Sequence, residues 1–359
     1  MHKKTNTAKA ISILLMFVII LSVSNTYVKA NEMITNTNDY AYWYEESISI
    51  NNPSWMANLA DDKNLSQISV PGTHDTMAYN DNLTFGNITR TQCLSLDQQL
   101  NAGIRYLDIR LNYQKDHFKI NHGPVYLGYN FTDVLETVTQ FLSQNPSEFI
   151  LMRIKHEYGP ASSEELLHLF NKYFENYSDI FFHSNQVNFN PLVSEMRSKV
   201  VLLSEIPAIN YGLLYNDLNI QDHYFLKTVW NIADKWEFVR GHLDTSNNSI
   251  SSEIYLNHLS ATGGVLPYTV ASGKTLPDTN GEQLWTGVIE DADLSPEEQK
   301  YPYFIRKPFT KDKVAVYYDG TNNLTANYIN DNSITRTGII VADFPGPKLI
   351  NAVIAANYR

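Results

Sequence analysis

The sequence predicts an α/β protein whose parallel strands form a (β/α) barrel of the TIM type. Two observations indicate this class. Short, uninterrupted apolar runs recur along the chain, and segments with helical spacing of apolar residues separate them. Uninterrupted apolar strands are typical of a parallel sheet that is covered on both faces, and the number of such units in one chain indicates a barrel.

The individual elements follow from these patterns. Strands are predicted at residues 68–70, 106–111, 149–154, 200–203, 254–259 and 338–342, and helices at residues 91–102, 132–143, 163–173 and 348–356. Thr132 or Asp133 is expected to cap the second helix, and Ser163 the third. Cys93 and Leu96 share one predicted helical face with Leu100, so we expect Cys93 to be a buried structural thiol and not a nucleophile.

One region interrupts the alternation. Residues 267–332 are rich in Pro, Gly, Asn and Asp, and few elements can be assigned there. We interpret this segment as an insertion into a single catalytic domain that spans residues 31–359. It is expected either to pack as a layer over the barrel or to touch a membrane.

The first thirty residues have the pattern of a secretory signal peptide. Lysines come first, an apolar run covers residues 11–23, and Val28-Lys29-Ala30 places small residues at the two positions that determine cleavage. A transmembrane anchor is the alternative, but the run is short for a span of about 20 residues. We therefore expect a secreted, soluble protein.

Charge and cysteine content exclude several classes. Residues 1–30 contain four lysines and no acid, so the remainder has 27 − 4 = 23 basic against 38 acidic residues, a net charge of −15. A protein with this negative charge is expected to bind nucleic acid poorly, because proteins gain affinity for nucleic acid largely from Lys and Arg on the phosphates. Cys93 is the single cysteine, which excludes an intrachain disulfide.

Polar residues collect at the ends of the predicted strands, where (β/α) barrels build their active sites. Side-chain alternation places Asp108 and Arg110 on one strand face, and Lys155 and Glu157 on another. In the segment 69–75, Pro-Gly is expected to form a sharp turn that delivers His beside Asp. The full set is His74, Asp75, Asp108, Arg110, His122, Lys155, Glu157 and Asp343.

Taken together, two histidines and an arginine indicate a reaction class. Histidine titrates near neutral pH and serves as base or acid, whereas a guanidinium binds phosphoryl oxygens in bidentate fashion. This combination suits cleavage of a phosphodiester by an adjacent hydroxyl group and requires no metal. A metal-dependent barrel phosphodiesterase and a non-catalytic binding protein are the alternatives. Arg110 argues against the first of these because it would repel a divalent cation.

Several segments resemble the secreted bacterial phosphatidylinositol-specific phospholipase C family. They are SVPGTHDTMAYN (69–80), AGIRYLDIRLN (102–112), HGPVYL (122–127), FILMRIKHE (149–157), KVVLLSE (199–205), IQDHY (220–224), IYLNHLSAT (254–262) and GIIVADFPG (338–346). Their order matches the family along most of the chain. The resemblance implies a distorted, incompletely closed barrel that cleaves phosphatidylinositol to diacylglycerol and inositol 1,2-cyclic phosphate.

The resemblance also implies roles for individual residues. His74 is then the general base, oriented by Asp343, and His122 the general acid, whereas Asp75 couples these groups to Arg110. Arg110 stabilises the phosphoryl group and stands where the calcium-dependent eukaryotic enzymes carry an acidic metal ligand. The enzyme is therefore expected to need neither calcium nor another cofactor. Asp108 is expected to support Arg110 from behind.

Inositol contacts are implied for Lys155, Asp222 and Tyr224, and more weakly for Glu157. Some members carry an arginine where this chain has Ser204-Glu205, so inositol recognition is expected to differ locally. The expected partner is phosphatidylinositol in a membrane, contacted peripherally by a monomer without a protein partner. Because the net charge opposes an anionic surface, exposed aromatic residues are expected to make the contact. The candidates are Trp55, Tyr79, Phe85 and Tyr126.

Overall fold

The computed structural model describes residues 37–80, 89–183, 190–278, 280–290 and 303–359. Its strands are β1 (Val70–Thr73), β2 (Tyr106–Gln114), β3 (His117–His122), β4 (Val125–Asn130), β5 (Ile150–His156), β6 (Val200–Ser204), β7 (Leu213–Leu214), β8 (Asn219–Gln221), β9 (Phe225–Leu226), β10 (Tyr255–His258), β11 (Thr262–Gly263), β12 (Trp285–Glu290), β13 (Ile305–Thr310), β14 (Lys313–Tyr317) and β15 (Ile339–Ala342). Its α-helices are α1 (Leu96–Ala102), α2 (Phe131–Gln144), α3 (Ser163–Asn176), α4 (Val193–Met196), α5 (Asn231–Asn248), α6 (Pro267–Ser272), α7 (Thr321–Asp331) and α8 (Pro347–Ala356).

A curled parallel sheet forms the centre of the fold. Its strand order is β7-β6-β5-β2-β1-β15-β10-β8, and each neighbouring pair is parallel. Among the described residues the end strands β7 and β8 do not pair with each other, so the barrel stays open at that point. β3 and β4 extend the sheet as an antiparallel hairpin on β2. This architecture confirms the predicted incompletely closed (β/α) barrel.

Apolar packing on both faces of the sheet explains the uninterrupted strands. Inward side chains such as Val70, Tyr106 and Leu256 form one cluster inside the barrel. Outward side chains such as Leu107 and Ile109 pack against the surrounding helices in another cluster. All six predicted strands are confirmed, and their ends differ from the predicted positions by at most three residues.

The predicted Pro-Gly turn is wrong, because Pro71 and Gly72 lie inside β1. A β-carbon on Gly72 would come within 2.7 Å of the Tyr106 side chain, so glycine is required there by the close approach of β2. The chain turns instead at Asp75, whose φ of 42° lies in the left-handed region.

The four predicted helices are confirmed, and three of them begin at a residue other than the one predicted. α1 begins at Leu96 and not at residue 91, because Ser95 and Gln98 form a reciprocal cap. Cys93 therefore precedes the helix and is buried, as expected of a structural thiol. Ser162, the residue before the predicted Ser163, caps α3, and Asn130 precedes α2 with Asp133 accepting a bond from its backbone N–H.

Residues 267–332 contain more regular structure than their composition predicts. α6, a three-stranded antiparallel sheet of order β12-β14-β13, and α7 occupy this segment. Buried residues of the small sheet, among them Ile289 and Val316, pack with Trp236 of α5 and Ala326 of α7. The described part of the segment thus packs together and against α5, and its origin as an insertion stays a prediction.

The predicted signal peptide, residues 1–30, lies outside the described residues. Within the described ranges, the helices lack the combination of length and apolar character that a membrane span needs.

Candidate active site

A polar cavity of about 380 Å³ lies at the carboxyl ends of the parallel strands. Strand register brings distant residues together there. Thr73 of β1 pairs with Ala342 of β15, so His74 and Asp343 follow at the same level. Asp108 and Arg110 of β2 similarly lie opposite Arg153 and Lys155 of β5. The cavity wall comprises His74, Thr91, Arg110, His122, Arg153, Lys155, Asp222, Tyr224, His258, Ser260, Ala261, Thr262, Pro267 and Asp343.

His74 is held between a carboxylate and a guanidinium. Its Nδ1 lies 2.8 Å from Oδ1 of Asp343, and its Nε2 lies 2.7 Å from Nη2 of Arg110. Because a guanidinium can only donate, Nε2 must present its lone pair, and the ring proton resides on Nδ1 and is donated to Asp343. Burial lowers the pKa of His74, but the charge and hydrogen bond of Asp343 outweigh this effect, so the pKa is raised above its ordinary 6.5.

Backbone contacts fix the position of His74. Its carbonyl oxygen accepts hydrogen bonds from Thr91 Oγ1 at 3.1 Å and from Gln92 Nε2 at 2.8 Å. Its N–H donates to the carbonyl of Ala342 at 3.0 Å. The imidazole thus has little freedom to leave the line between Asp343 and Arg110.

Arg110 is surrounded by acceptors. Its Nη1 lies 3.1 Å from Oε1 of Glu157 and 3.4 Å from Oδ2 of Asp75. Its Nε and Nη2 lie 3.4 and 3.3 Å from Oδ2 of Asp108. Burial lowers the pKa of Arg110, yet the carboxylates of Asp75, Asp108 and Glu157 raise it more strongly. The side chain is therefore a permanent cation.

His122 reaches the site through the β3–β4 hairpin. β3 runs antiparallel to β2, with Ile120 opposite Leu111, and so returns His122 towards the level of Arg110. Nδ1 of His122 lies 2.8 Å from the carbonyl oxygen of Thr89, to which it donates, and 3.3 Å from Oδ2 of Asp75. Nε2 is then the nitrogen available to a ligand in the cavity.

Asp75 lies beside both His122 and Arg110, and Arg110 in turn contacts His74. Asp75 is fully buried, and its Oδ2 lies within ion-pair distance of both Arg110 and His122. Neither carboxylate oxygen makes a hydrogen bond within the described part of the chain. Burial raises the pKa of Asp75, and the charges of Arg110 and His122 oppose this effect only in part.

Asp108 lies behind Arg110, where the sequence analysis placed it. Oδ1 accepts from Arg153 Nη1 at 3.2 Å, and Oδ2 accepts from the backbone N–H of Asp75 at 3.0 Å. Burial raises the pKa of Asp108, but the two guanidinium groups outweigh it and hold the pKa well below its usual range. Asp108 is therefore a fixed anion between two arginines.

The four predicted inositol contacts divide into two groups. Lys155, Asp222 and Tyr224 lie in the cavity wall, and Tyr224 is 59% exposed at the mouth. Glu157 does not belong to the wall, because its Oε1 is engaged by Arg110 and by the backbone N–H of Gly123 at 3.0 Å. Burial raises the pKa of Glu157, whereas Arg110 and Lys155 lower it more. Glu157 is thus a partner of Arg110, and its contact with the inositol ring stays a prediction.

Three polar residues in or near the cavity wall were not predicted from the sequence. Arg153 shares the strand face of Lys155 and Glu157, so alternation along β5 could have found it. Its Nε donates to Oε2 of Glu205 at 3.0 Å. His258 lies inside the predicted strand 254–259 and Lys235 follows Asp234 in a segment of mixed polarity, so neither stands directly after an apolar run. Burial lowers the pKa of Lys235 to about 7, and its amine donates to Oε1 of Gln221 at 3.5 Å.

Within residues 37–80, 89–183, 190–278, 280–290 and 303–359, no group of three or more His, Cys, Asp or Glu residues has an arrangement that could hold a metal ion.

Comparisons with known proteins agree with this geometry. Residues 67–205 match the family described as phosphatidylinositol-specific phospholipase C, X domain. The chain is 37% identical over 235 residues to the 1-phosphatidylinositol phosphodiesterase of Listeria monocytogenes, an alignment that covers 60% of this chain and 70% of that relative. The chain belongs to the phosphatidylinositol-specific phospholipase C family.

Solved structures of the phosphatidylinositol-specific phospholipase C family share the fold. The enzyme from Listeria monocytogenes superposes with a TM-score of 0.63 at 27% identity, covering 86% of this chain and 99% of that structure. A variant of the enzyme from Staphylococcus aureus superposes with a TM-score of 0.60 at 20% identity, over 85% of this chain and 97% of that structure. These matches confirm the barrel and the family resemblance stated from the sequence.

Proposed function

We propose that the chain cleaves phosphatidylinositol into diacylglycerol and inositol 1,2-cyclic phosphate. The observation that carries this proposal is the placement of Arg110 against both His74 and the Asp75–His122 pair in one cavity. A phosphodiester bound to the guanidinium would have a base on one side and an acid on the other. Family membership supports the substrate class, because the Listeria relative is named a 1-phosphatidylinositol phosphodiesterase.

His74 is the proposed general base. Its Nε2 takes the proton of the inositol 2-hydroxyl as that oxygen forms a bond to phosphorus. Asp343 then faces a positively charged imidazolium and stabilises it across the 2.8 Å contact. The neutral tautomer assigned from the contact with Arg110 is the one this step requires.

His122 is the proposed general acid. Its Nε2 gives a proton to the diacylglycerol oxygen as the bond between that oxygen and phosphorus breaks. The carboxylate of Asp75 lies 3.3 Å from Nδ1 of the same ring. Arg110 neutralises the charge that develops on the equatorial oxygens of phosphorus. One bond to phosphorus forms and one breaks, so the cyclic product follows directly.

A calcium-independent reaction is part of the proposal. The guanidinium of Arg110 already supplies positive charge among Asp75, Asp108 and Glu157. A divalent cation at the same carboxylates would have to displace or repel it. No cofactor is therefore assigned.

The inositol ring is proposed to lie between Tyr224 and the polar wall. Asp222, Lys155 and Arg153 offer an acceptor and donors for its hydroxyl groups. The Ser204-Glu205 departure acquires a structural explanation here. Glu205 binds Arg153, so a guanidinium reaches this part of the cavity from β5.

Membrane contact is proposed for an apolar rim made of Tyr224, Phe225 and Leu266. Phe225 pairs with Thr262 across β9 and β11, and Thr262 and Tyr224 belong to the cavity wall. The fraction exposed is 60% for Phe225 and 38% for Leu266. The rim thus surrounds the opening through which a lipid headgroup would enter.

The aromatic residues that the sequence predicts as membrane contacts differ in exposure. Trp55 is buried and donates its indole N–H to Gly103, so its prediction is wrong, and Tyr79 is half-buried against Tyr129. Tyr126 is exposed on β4, and Phe85 lies outside the described residues. Secretion by means of residues 1–30 and action as a monomer remain parts of the proposal.

The test of this function uses the mature protein, phosphatidylinositol vesicles and excess EDTA, with phosphorus NMR to identify the product. Inositol 1,2-cyclic phosphate is the expected first product. Activity that requires added calcium or magnesium would refute the role of Arg110 in place of a metal. Lipid binding without turnover under any condition would favour an inositol-lipid-binding protein instead.

The rim predicts a second result. Phe225→Ser removes an exposed ring and should weaken binding to phosphatidylinositol-containing vesicles about 10-fold, because burial of a Phe side chain contributes roughly 1.5–3 kcal/mol. Vesicle sedimentation measures this. Phe309→Ser is the matched control, because Phe309 is equally exposed, at 60%, but lies on β13 outside the cavity wall. Equal weakening by both substitutions would contradict the assignment of the rim.

A further inference from the structure

His258 lies in the cavity wall but takes no part in the proposed proton transfers. It ends β10, and its side chain is 1% exposed. Its ring meets that of His74 edge to face, with 6.1 Å between ring centroids. A second histidine therefore stands directly beside the proposed base.

One nitrogen of His258 has a partner and the other has none. Nε2 lies 2.8 Å from the hydroxyl oxygen of Tyr215. Nδ1 is buried and makes no hydrogen bond to any described residue. An orphaned polar nitrogen inside a protein is unfavourable unless a ligand or water completes it. Since the ring lines the cavity, a bound substrate is the natural partner.

The surroundings determine which chemical group fits. Burial lowers the pKa of His258 well below 6.5, and the nearby charges of Arg153 and His74 lower it further. The ring is therefore neutral and has one donor and one acceptor nitrogen. Whichever of these the Tyr215 hydroxyl engages, Nδ1 has the other and lacks a partner among the described residues. A hydroxyl group suits both cases because it donates and accepts.

The wall around His258 has the same mixed character. Asp222 is an acceptor, Lys155 and Arg153 are donors, and Ser260 can be either. Alternating donors and acceptors suit a polyol better than a second phosphate, which the carboxylate of Asp222 would repel.

We propose that His258 binds a ring hydroxyl of the inositol headgroup through Nδ1 and thereby helps the enzyme to select inositol. This inference rests on the proposed function. It adds a specificity-determining residue that the acid–base mechanism does not need.

The test compares His258→Phe with the unmodified protein on phosphatidylinositol and on four analogues that lack the 3-, 4-, 5- or 6-hydroxyl. His258→Phe keeps a ring of similar size and removes both nitrogens. On phosphatidylinositol, kcat/KM should fall about 10-fold to 100-fold. The unmodified protein should lose a similar factor on one analogue, and His258→Phe should lose nothing further on that same analogue.

Tyr215→Phe is the matched comparison. It removes the partner of Nε2 and leaves Nδ1 in the wall, so its discrimination against that analogue should persist. If His258→Phe discriminates among the four analogues as the unmodified protein does, the proposal is overturned. Absence of phosphatidylinositol cleavage by the unmodified protein would refute the proposed function itself.

A measurement on the unmodified protein covers the case in which His258→Phe does not fold. Nitrogen-15 NMR of the histidine rings, during titration with myo-inositol, should show a change at Nδ1 of His258. Changes confined to other groups of the cavity would equally overturn the proposal.

Discussion

His74→Ala should reduce turnover of phosphatidylinositol by roughly 10²–10⁴-fold or more, because the proton of the attacking hydroxyl then has no acceptor. Substrate affinity should change much less, since Arg110 and the ring contacts remain. Steady-state kinetics on vesicles, with the product followed by phosphorus NMR, measure both quantities.

The pH profile provides a sharper readout of the same residue. His74 must be neutral to act as a base, and Asp343 raises its pKa above 6.5. In the unmodified protein kcat/KM should therefore be low in acid, where the ring is protonated. It should rise with pH through a midpoint above 6.5. The residual activity of His74→Ala should lack this dependence on pH.

His117→Ala serves as the control for His74→Ala. His117 is partly exposed at the start of β3, pairs with Asp116 and lies outside the cavity wall, so its removal should leave activity unchanged. Near-normal turnover by His74→Ala would remove this residue from the mechanism.

Arg110→Lys should lower kcat severely, by about 10²–10³-fold, although the positive charge is retained. The planar guanidinium contacts His74, Asp75, Asp108 and Glu157 and can offer two parallel N–H groups to phosphoryl oxygens. A lysine ammonium is a point charge and has no such planar pair of donors. The loss should appear mainly in kcat, because charge on the phosphoryl oxygens increases in the transition state.

Arg240→Lys is the control for this substitution. Arg240 pairs with Glu237 and Asp244 on the surface of α5, and the change should leave both kcat and thermal stability close to those of the unmodified protein. Full activity of Arg110→Lys would exclude a bidentate role for the guanidinium.

Much of the candidate site could be predicted because buried strands have a simple, recognisable sequence pattern. A run of apolar residues that ends in a polar one marks the carboxyl end of a buried strand, and this rule found His74, Arg110 and Asp343. It could not show that His74 meets Asp343, 269 positions away. That contact depends on β1 lying beside β15, and buried parallel strands look alike in sequence.

The missed elements have physical reasons as well. α5 has apolar residues at helical spacing, but Lys235 lies on its buried face, and Trp230 before it offers no side-chain cap. β13 is almost fully exposed, so it has no apolar face to recognise. His122 was found as a strand end, yet its strand belongs to an antiparallel hairpin, which alternation alone does not distinguish.

The crowding around Arg110 has a consequence for the order of events. The Arg110 guanidinium makes four hydrogen bonds, to Asp108, Glu157 and His74, and its Nη1 also lies 3.4 Å from Oδ2 of Asp75. A phosphate that binds this group through two oxygens must therefore displace at least one of these partners, and uncharged His74 is the weakest competitor against three carboxylates. In the empty cavity the lone pair of the proposed base is thus held by Arg110, and a phosphate that takes the guanidinium would release the imidazole at the moment of binding.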